Sequence, residues 1–429
     1  MKVAVVGLWH LGTVTAACLA AAGHQVLALD EAETVHGLQS GHLPVDEPGL
    51  AELALSGLAS GRLRFSADPR ELRDAEVTWI AYDTPVDDDD RADVNYVSQK
   101  VAALFPHLPK GSLVLVSSQV PAGTTRTLEA LYRRTNPDGQ VTFGYSPENL
   151  RLGRAIEAFT RPARVVVGIR SDADRQRVAA LLGPITERIE WTSVESAEMT
   201  KHALNSFLAT CVTFANELAT LCERVGADSG EVERALRSDP RVGPRAYVRP
   251  GAAFAGGTLA RDVSFLIDAG HEANLPTHLF SGVLRSNEAH KRWAERRLVD
   301  LLGELQGLSV AVLGLTYKPG TDTLRRSSAV ETSRRLRRLG ANVTAFDPAV
   351  RALPPELGGV IDLRPSTRAA LLEADAALVA TEWPEFKRLR GDDLVSWMRR
   401  PLVLDPGRFL EANLRADGRV EYVTVGRLS

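Results

Sequence analysis

The chain has 429 residues, 44% of them hydrophobic and 24% charged. That is more than one ordinary core holds, so two or three globular domains are expected. A net charge of -3 with basic and acidic residues spread along the chain offers no basic field to a polyanion and argues against a nucleic-acid partner. The cysteines Cys18, Cys211 and Cys222 lack metal-ligand spacing and leave an odd thiol if paired. They fit helix-packed thiols in a reducing cytoplasm, with no metal site.

In chain order, residues 2–6 (Lys-Val-Ala-Val-Val) predict a strand, then come a glycine turn, an alanine-rich helix and a second strand at 25–30 closing on Asp30. The apolar start superficially resembles a signal peptide, but Gly7, His10, Gly12 and Thr13 interrupt it at turn positions. No run reaches the roughly 18 apolar residues of a membrane span. The pattern is a β-α-β unit of the dinucleotide-binding type. Strand-like runs at 77–82, 113–116 and 164–168 alternate with helical patterns, which predicts a parallel sheet covered on both faces. The acidic run 87–90 reads as a solvated loop.

From 194 to 225, Met199, Ala203, Phe207, Cys211, Phe214, Leu218 and Leu221 recur at helical spacing and predict one long helix. A second helical stretch covers 263–302. The apolar face of this region suits a subunit interface or an internal core, and the pattern leaves both open. A second α/β unit opens at 309–315, reaches a strand at 342–347, and ends with strands at 376–380 and 402–405. The expected fold is therefore α/β, with two Rossmann-like doubly wound parallel-sheet domains joined by a helical central region. Its boundaries are placed at 1–193, 194–302 and 303–429.

Separated motifs occur along this frame: Leu43-Pro-Val-Asp-Glu-Pro-Gly-Leu50, Thr84-Pro85, Val120-Pro-Ala-Gly-Thr-Thr125, Ser146-Pro-Glu-Asn-Leu150, Ala197-Glu-Met-Thr-Lys201 with Asn205, and Asn216-Glu217. They continue with Asp239-Pro-Arg-Val-Gly243, Phe254-Ala-Gly-Gly-Thr-Leu-Ala-Arg-Asp262, Gly314-Leu-Thr-Tyr-Lys-Pro319 and Thr381-Glu-Trp-Pro-Glu385. In this order they resemble the UDP-glucose/GDP-mannose dehydrogenase family over nearly the whole chain. The resemblance implies NAD as cofactor, a nucleotide sugar or nucleoside as substrate, and a cytoplasmic homodimer with no membrane attachment.

For the cofactor, the resemblance points to Gly7, Trp9, His10, Leu11, Gly12 and Asp30, followed by Thr84, Pro85, Ser118 and Arg325. Trp9 stands where the dinucleotide fingerprint has its second glycine, the one that lets the pyrophosphate approach. An acidic residue at 30 would bind ribose hydroxyls and repel a 2'-phosphate, so NAD is expected over NADP. For catalysis, Lys201 and Asn205 lie four apart on one helix face. The resemblance assigns them the alkoxide or carbonyl oxygen, a task that suits an ammonium and an amide. Glu148 and Asp262 are the candidate acid and base.

Family members use a cysteine where this chain has Thr258. A thiol ionises near ~8.5, whereas an alkyl hydroxyl stays protonated without a strong adjacent base. Gln119, Leu152 and Arg261 likewise replace the family's threonine, glutamate and lysine. These changes fall on the thioester half of a four-electron oxidation and spare Lys201 and Asn205. Around the sugar the resemblance places Glu148, Leu150, Phe254 and Gly257, with Arg241 reaching across a subunit boundary. Lys318, Arg325 and Arg408 are expected at the nucleotide half, where Thr323 and Arg326 replace acidic residues. The expected reaction is redox-neutral: transient oxidation, dehydration or epimerisation, then return of the hydride. The alternatives are a net two-electron nucleotide-sugar dehydrogenase and a non-catalytic NAD or sugar-nucleotide sensor, for which Trp9 is the best support.

Overall fold

The computed structural model describes every residue except Asp46, residues 88–91, Asn149, Gly256, Leu428 and Ser429. Most of the acidic run at 87–90 thus lies outside the described residues. The chain divides into two compact units, Met1–Ala203 and Leu204–Ser429.

The first unit holds strands β1 (Lys2–Val6), β2 (Gln25–Leu29), β3 (Leu63–Ser66), β4 (Val77–Ile80), β5 (Leu113–Val116), β6 (Thr142–Tyr145), β7 (Val165–Gly168) and β8 (Ile189–Thr192). They form one sheet in the order β3-β2-β1-β4-β5-β6-β7-β8. The crossover at β1 creates the topological switch point where open α/β sheets bind ligands. Alternate residues of β1 serve opposite cores: Val3 and Val5 pack on one face, Ala4 and Val6 on the other. Each fully buried valine contributes about 1.5–3 kcal/mol, and burial on both faces explains the unbroken apolar runs.

One pair departs from the expected parallel order, because β7 runs antiparallel to β6. An antiparallel neighbour begins at the edge where its predecessor ended. The described part of 146–164 therefore begins and ends at the carboxyl edge of the sheet, with Glu148 and Leu150 a few residues beyond the end of β6.

The second unit carries β9 (Ser309–Leu313), β10 (Asn342–Phe346), β11 (Asp362–Leu363), β12 (Ala376–Val379), β13 (Leu402–Leu404) and β14 (Glu421–Val423). Their order, β11-β10-β9-β12-β13-β14, repeats the 3-2-1-4-5-6 pattern of the first sheet.

The helix Val194–Val225 is continuous, as its periodicity predicted. The helical stretch expected at 263–302 is instead three helices, Gly257–Glu272, His278–His290 and Trp293–Leu302. Asn274 takes a left-handed φ of 54° and Pro276 follows, a combination that stops a helix. The apolar stripe of the long helix is not an internal core, since Phe207, Phe214 and Leu221 are 64%, 50% and 62% exposed. The face that packs within the chain instead carries Glu198, Lys201, His202, Asn205 and Asn216, all buried. The three cysteines are free, and burial pushes the Cys18 thiol up to about 12. No described helix is long and apolar enough to cross a membrane.

Candidate active site

In the first unit β1 ends at a turn that only glycine permits. Gly7 has φ 91°, and a Cβ there would lie 2.7 Å from the Tyr82 amide nitrogen. The helix His10–Ala21 starts three residues later. Gly12 packs so closely that a Cβ would fall 1.7 Å from the Gly7 carbonyl oxygen. The first amides of a helix have no partner within it and carry partial positive charge, so this turn is a seat for an anion. Asp30, half-buried at the end of β2, accepts from the amides of Leu8 at 2.5 Å and Glu31 at 2.7 Å. A tight turn, an adjacent helix N-terminus and a partly exposed carboxylate fit a dinucleotide. Trp9 is the helix N-cap, makes no side-chain capping bond, and is 53% exposed.

His10 bonds Glu47 at 3.1 Å. The buried Glu47 also accepts from the amides of Gly153 and Ala155, so one carboxylate joins the cofactor turn to the segment after Glu148. Burial pushes Glu47 up, but the two amides and the His10 ring outweigh it and hold the carboxyl below its ordinary value.

The other cofactor candidates follow strand ends on the same edge. Thr84 donates to the Gln119 carbonyl at 2.7 Å, and the Pro85 carbonyl accepts from Asp93. Ser118 is buried, with its hydroxyl unpartnered among the described residues. Lys201 Nζ donates to the Glu148 carbonyl at 2.7 Å and lies 3.7 Å from its carboxylate. The amide of Leu150 holds the other carboxylate oxygen at 2.7 Å. Leu11, Glu148 and Leu150 line a cavity of about 70 Å³; Asn149 between them is outside the described residues.

Two supporting residues escaped the sequence reading. Glu198 accepts from the amides of Gly123 at 2.5 Å and Thr125 at 2.9 Å, and His202 donates to the Val120 carbonyl at 3.0 Å. Their spacing with Lys201 and Asn205 on one helix face was the available signal.

In the second unit Asn205 Nδ2 donates to Asp262 at 2.5 Å, and Asp262 is fully buried. Thr258 is exposed in the first turn of the helix that opens at Gly257 and carries Asp262. Phe254 lies in the loop before that helix.

A cavity of about 480 Å³ in this unit is lined by Arg237, Arg249 and Arg408 with Tyr247, Phe409 and Glu382. Arg237 pairs with Glu233 at 3.1 Å, and Arg408 donates to the Ser229 hydroxyl at 2.9 Å and the Val425 carbonyl at 3.1 Å; three guanidinium groups beside two aromatic rings suit an anion with an aromatic-stacking base. Burial, reinforced by Asp405, pushes the Glu382 carboxyl up. Sequence reading found Arg408 and missed Arg237 and Arg249, which no motif marks. Lys318 and exposed Arg325 follow β9 and are not among the described lining residues. Arg241 is exposed and paired with its neighbour Asp239 at 2.7 Å.

The glycine turn, the switch-point topology and the acidic residue at the end of β2 define a dinucleotide-binding protein of the Rossmann type. Comparison with known proteins makes the class specific. The chain matches the UDP-glucose/GDP-mannose dehydrogenase family in its NAD binding domain over residues 1–186, its central domain over 195–289 and its UDP binding domain over 311–412.

It is 34% identical over 436 residues to the UDP-glucose 6-dehydrogenase of Rhizobium meliloti (strain 1021), covering 100% of both chains. The structure of a UDP-glucose dehydrogenase from Pyrobaculum islandicum superposes with TM-score 0.86 at 30% identity, covering 99% of this chain and 97% of that one. A UDP-D-ManNAc dehydrogenase from Pyrococcus horikoshii gives TM-score 0.86 at 25% identity, covering 100% and 99%. The chain belongs to the UDP-glucose/GDP-mannose dehydrogenase family, a family of NAD-dependent oxidoreductases.

Proposed function

We propose that this protein is an NAD-dependent nucleotide-sugar dehydrogenase that removes two electrons from a sugar alcohol and stops before the acid. The observation that carries the reading is Thr258, a hydroxyl in the first turn of Gly257–Glu272, in a chain aligned end to end with UDP-glucose 6-dehydrogenases. Those relatives favour net oxidation over the redox-neutral cycle expected from sequence.

When bound, NAD supplies the hydride acceptor. Gly7, Gly12 and the helix start would hold its pyrophosphate and Asp30 a ribose, with His10, Leu11, Thr84, Pro85 and Ser118 along the same sheet edge. Lys201 and Asn205 steady the developing oxyanion, and Glu148 or Asp262 takes the hydroxyl proton. Phe254, Leu150 and Gly257 contact the sugar. Arg237, Arg249 and Arg408 take the diphosphate, with Tyr247 or Phe409 against the base. Without a thiolate the aldehyde is not captured as a thiohemiacetal, so Thr258 sets the endpoint.

The exposed Phe207, Phe214 and Leu221 stripe supports a homodimer, and free cysteines support a cytoplasmic setting. The domain boundaries 1–193, 194–302 and 303–429 accompany this reading.

The test is product mass after incubation with NAD and UDP-glucose, beside a panel of other nucleotide sugars. The expected product has lost two hydrogens or is the corresponding hydrate. Loss of water, or altered stereochemistry at constant mass with no NADH, would restore the redox-neutral reading. Gain of carboxylate formation in Thr258→Cys would support retention of the family's substrate pose.

A further inference from the structure

The loop 251–254 has backbone groups held by buried side chains. Asn287 Oδ1 accepts from the Phe254 amide at 3.0 Å, and Nδ2 donates to the Phe254 carbonyl at 2.9 Å. This is the paired exchange that a neighbouring strand residue makes in a ladder. Asn216 accepts from the Gly251 amide at 2.9 Å and donates to the Ala252 carbonyl at 3.3 Å. His290 Nε2 donates to the Gly251 carbonyl at 2.8 Å. The three side chains are 1%, 3% and 6% exposed for Asn216, Asn287 and His290.

Burying an amide without partners costs about 1–3 kcal/mol, so a helix face needed only for packing is better served by leucine. Asn287 lies one turn from Val283, in the small apolar cluster against which Phe254 packs. Burial lowers the pKa of His290, opposed by its bond to Gly251 and reinforced by Arg296, which favours the neutral ring that donates to that carbonyl. The helix carrying Thr258 and Asp262 starts three residues beyond Phe254. Fixing the Phe254 backbone therefore fixes where that helix begins.

We propose that Asn287 is a positioning residue: its amide, supported by Asn216 and His290, sets where Phe254 and Thr258 meet the sugar nucleotide. This rests on the proposal above that Phe254 and Thr258 face that substrate. The test is Asn287→Asp, with UDP-glucose affinity measured by calorimetry between acidic and alkaline pH. A carboxylate still accepts from the Phe254 amide but has no proton for its carbonyl, whereas a protonated carboxyl restores both bonds. Ionisable groups on this stretch of chain are His290, one turn on, and Lys291, with Arg296 acting on His290; the helix packed against it carries Arg261 and Asp262 beside Val263.

The variant is expected to bind UDP-glucose about tenfold more weakly than wild type at alkaline pH, the equivalent of one lost hydrogen bond. It should approach wild type as pH falls through the new carboxyl's pKa, with NAD affinity unchanged throughout. Melting curves at each pH check folding; if N287D is unfolded, Asn287→Ser is measured instead and should bind about tenfold more weakly at every pH. Wild-type binding matched by the variant at all pH values, or an equal loss of NAD affinity, overturns the proposal. Failure of wild type to bind any nucleotide sugar overturns the functional reading itself.

Discussion

The two sheets open with the same turn and use it differently. In the first unit Gly7 and Asp30 form the turn; in the second Gly314, with φ 89°, and Asp347 stand in the equivalent places after β9 and β10. Each aspartate accepts from the amide just after its glycine, Leu8 or Leu315. Asp30 remains half-buried and its helix starts three residues after the glycine.

Asp347 is 1% exposed and is further occupied by the Thr316 amide and hydroxyl, the Trp383 indole and the Ala349 amide. The next helix begins only at Ser328. A saturated carboxylate has no capacity for a ribose diol, and a displaced helix N-terminus removes the anion seat. The strand order is thus common to both halves, whereas a dinucleotide site needs an available acid and an adjacent helix end.

The comparison can be broken most forcefully at Asp347. Asp347→Ala strands several buried donors and is expected to cost roughly 3–5 kcal/mol of stability while leaving NAD affinity unchanged in the folded protein. Denaturant unfolding and calorimetry on the same sample measure both. Asp30→Ala should do the converse: NAD binding weakened about tenfold or more, with stability changed by about 1 kcal/mol. Equal loss of NAD affinity in both variants would refute the distinction.

Trp9→Gly sharpens it further. A bare backbone at that position lets the pyrophosphate approach, so NAD should bind roughly threefold more tightly, about 0.7 kcal/mol, as read by the same titration.

The smallest effect concerns Glu47. Its folded pKa lies below the ordinary value of 4.5, so its contribution is present above that value and lost as pH falls through the folded pKa. Stability of Glu47→Gln should therefore fall less steeply than wild type below about pH 4.5, measured by unfolding across acidic pH.

Most strands and the long helix were legible because parallel strands buried on both faces leave continuous apolar runs, and a 32-residue helix leaves many periods. Strands β3, β6, β8, β11 and β14 were not, since Leu-Arg-Phe-Ser, Thr-Phe-Gly-Tyr, Ile-Glu-Trp-Thr, Asp-Leu and Glu-Tyr-Val mix polar or small residues with apolar ones and leave no continuous apolar run. The break after Glu272 turns on the conformation of Asn274, which an apolar period does not record. Lys201, Asn205, Glu148 and Asp262 stood out within motifs, but their arrangement as Lys201 with Glu148 and Asn205 with Asp262 needed coordinates. Arg237, Arg249 and Asn287 lie far apart in sequence from the residues they join, so spacing alone could not reveal them.

The decisive quantity is the ratio of NADH formed to nucleotide sugar consumed when wild-type enzyme runs to completion with excess NAD and UDP-glucose. A hydroxyl at 258 and an intact oxyanion pair predict one NADH per sugar. Two NADH per sugar with a carboxylate product, or product formed with no NADH, would contradict the account.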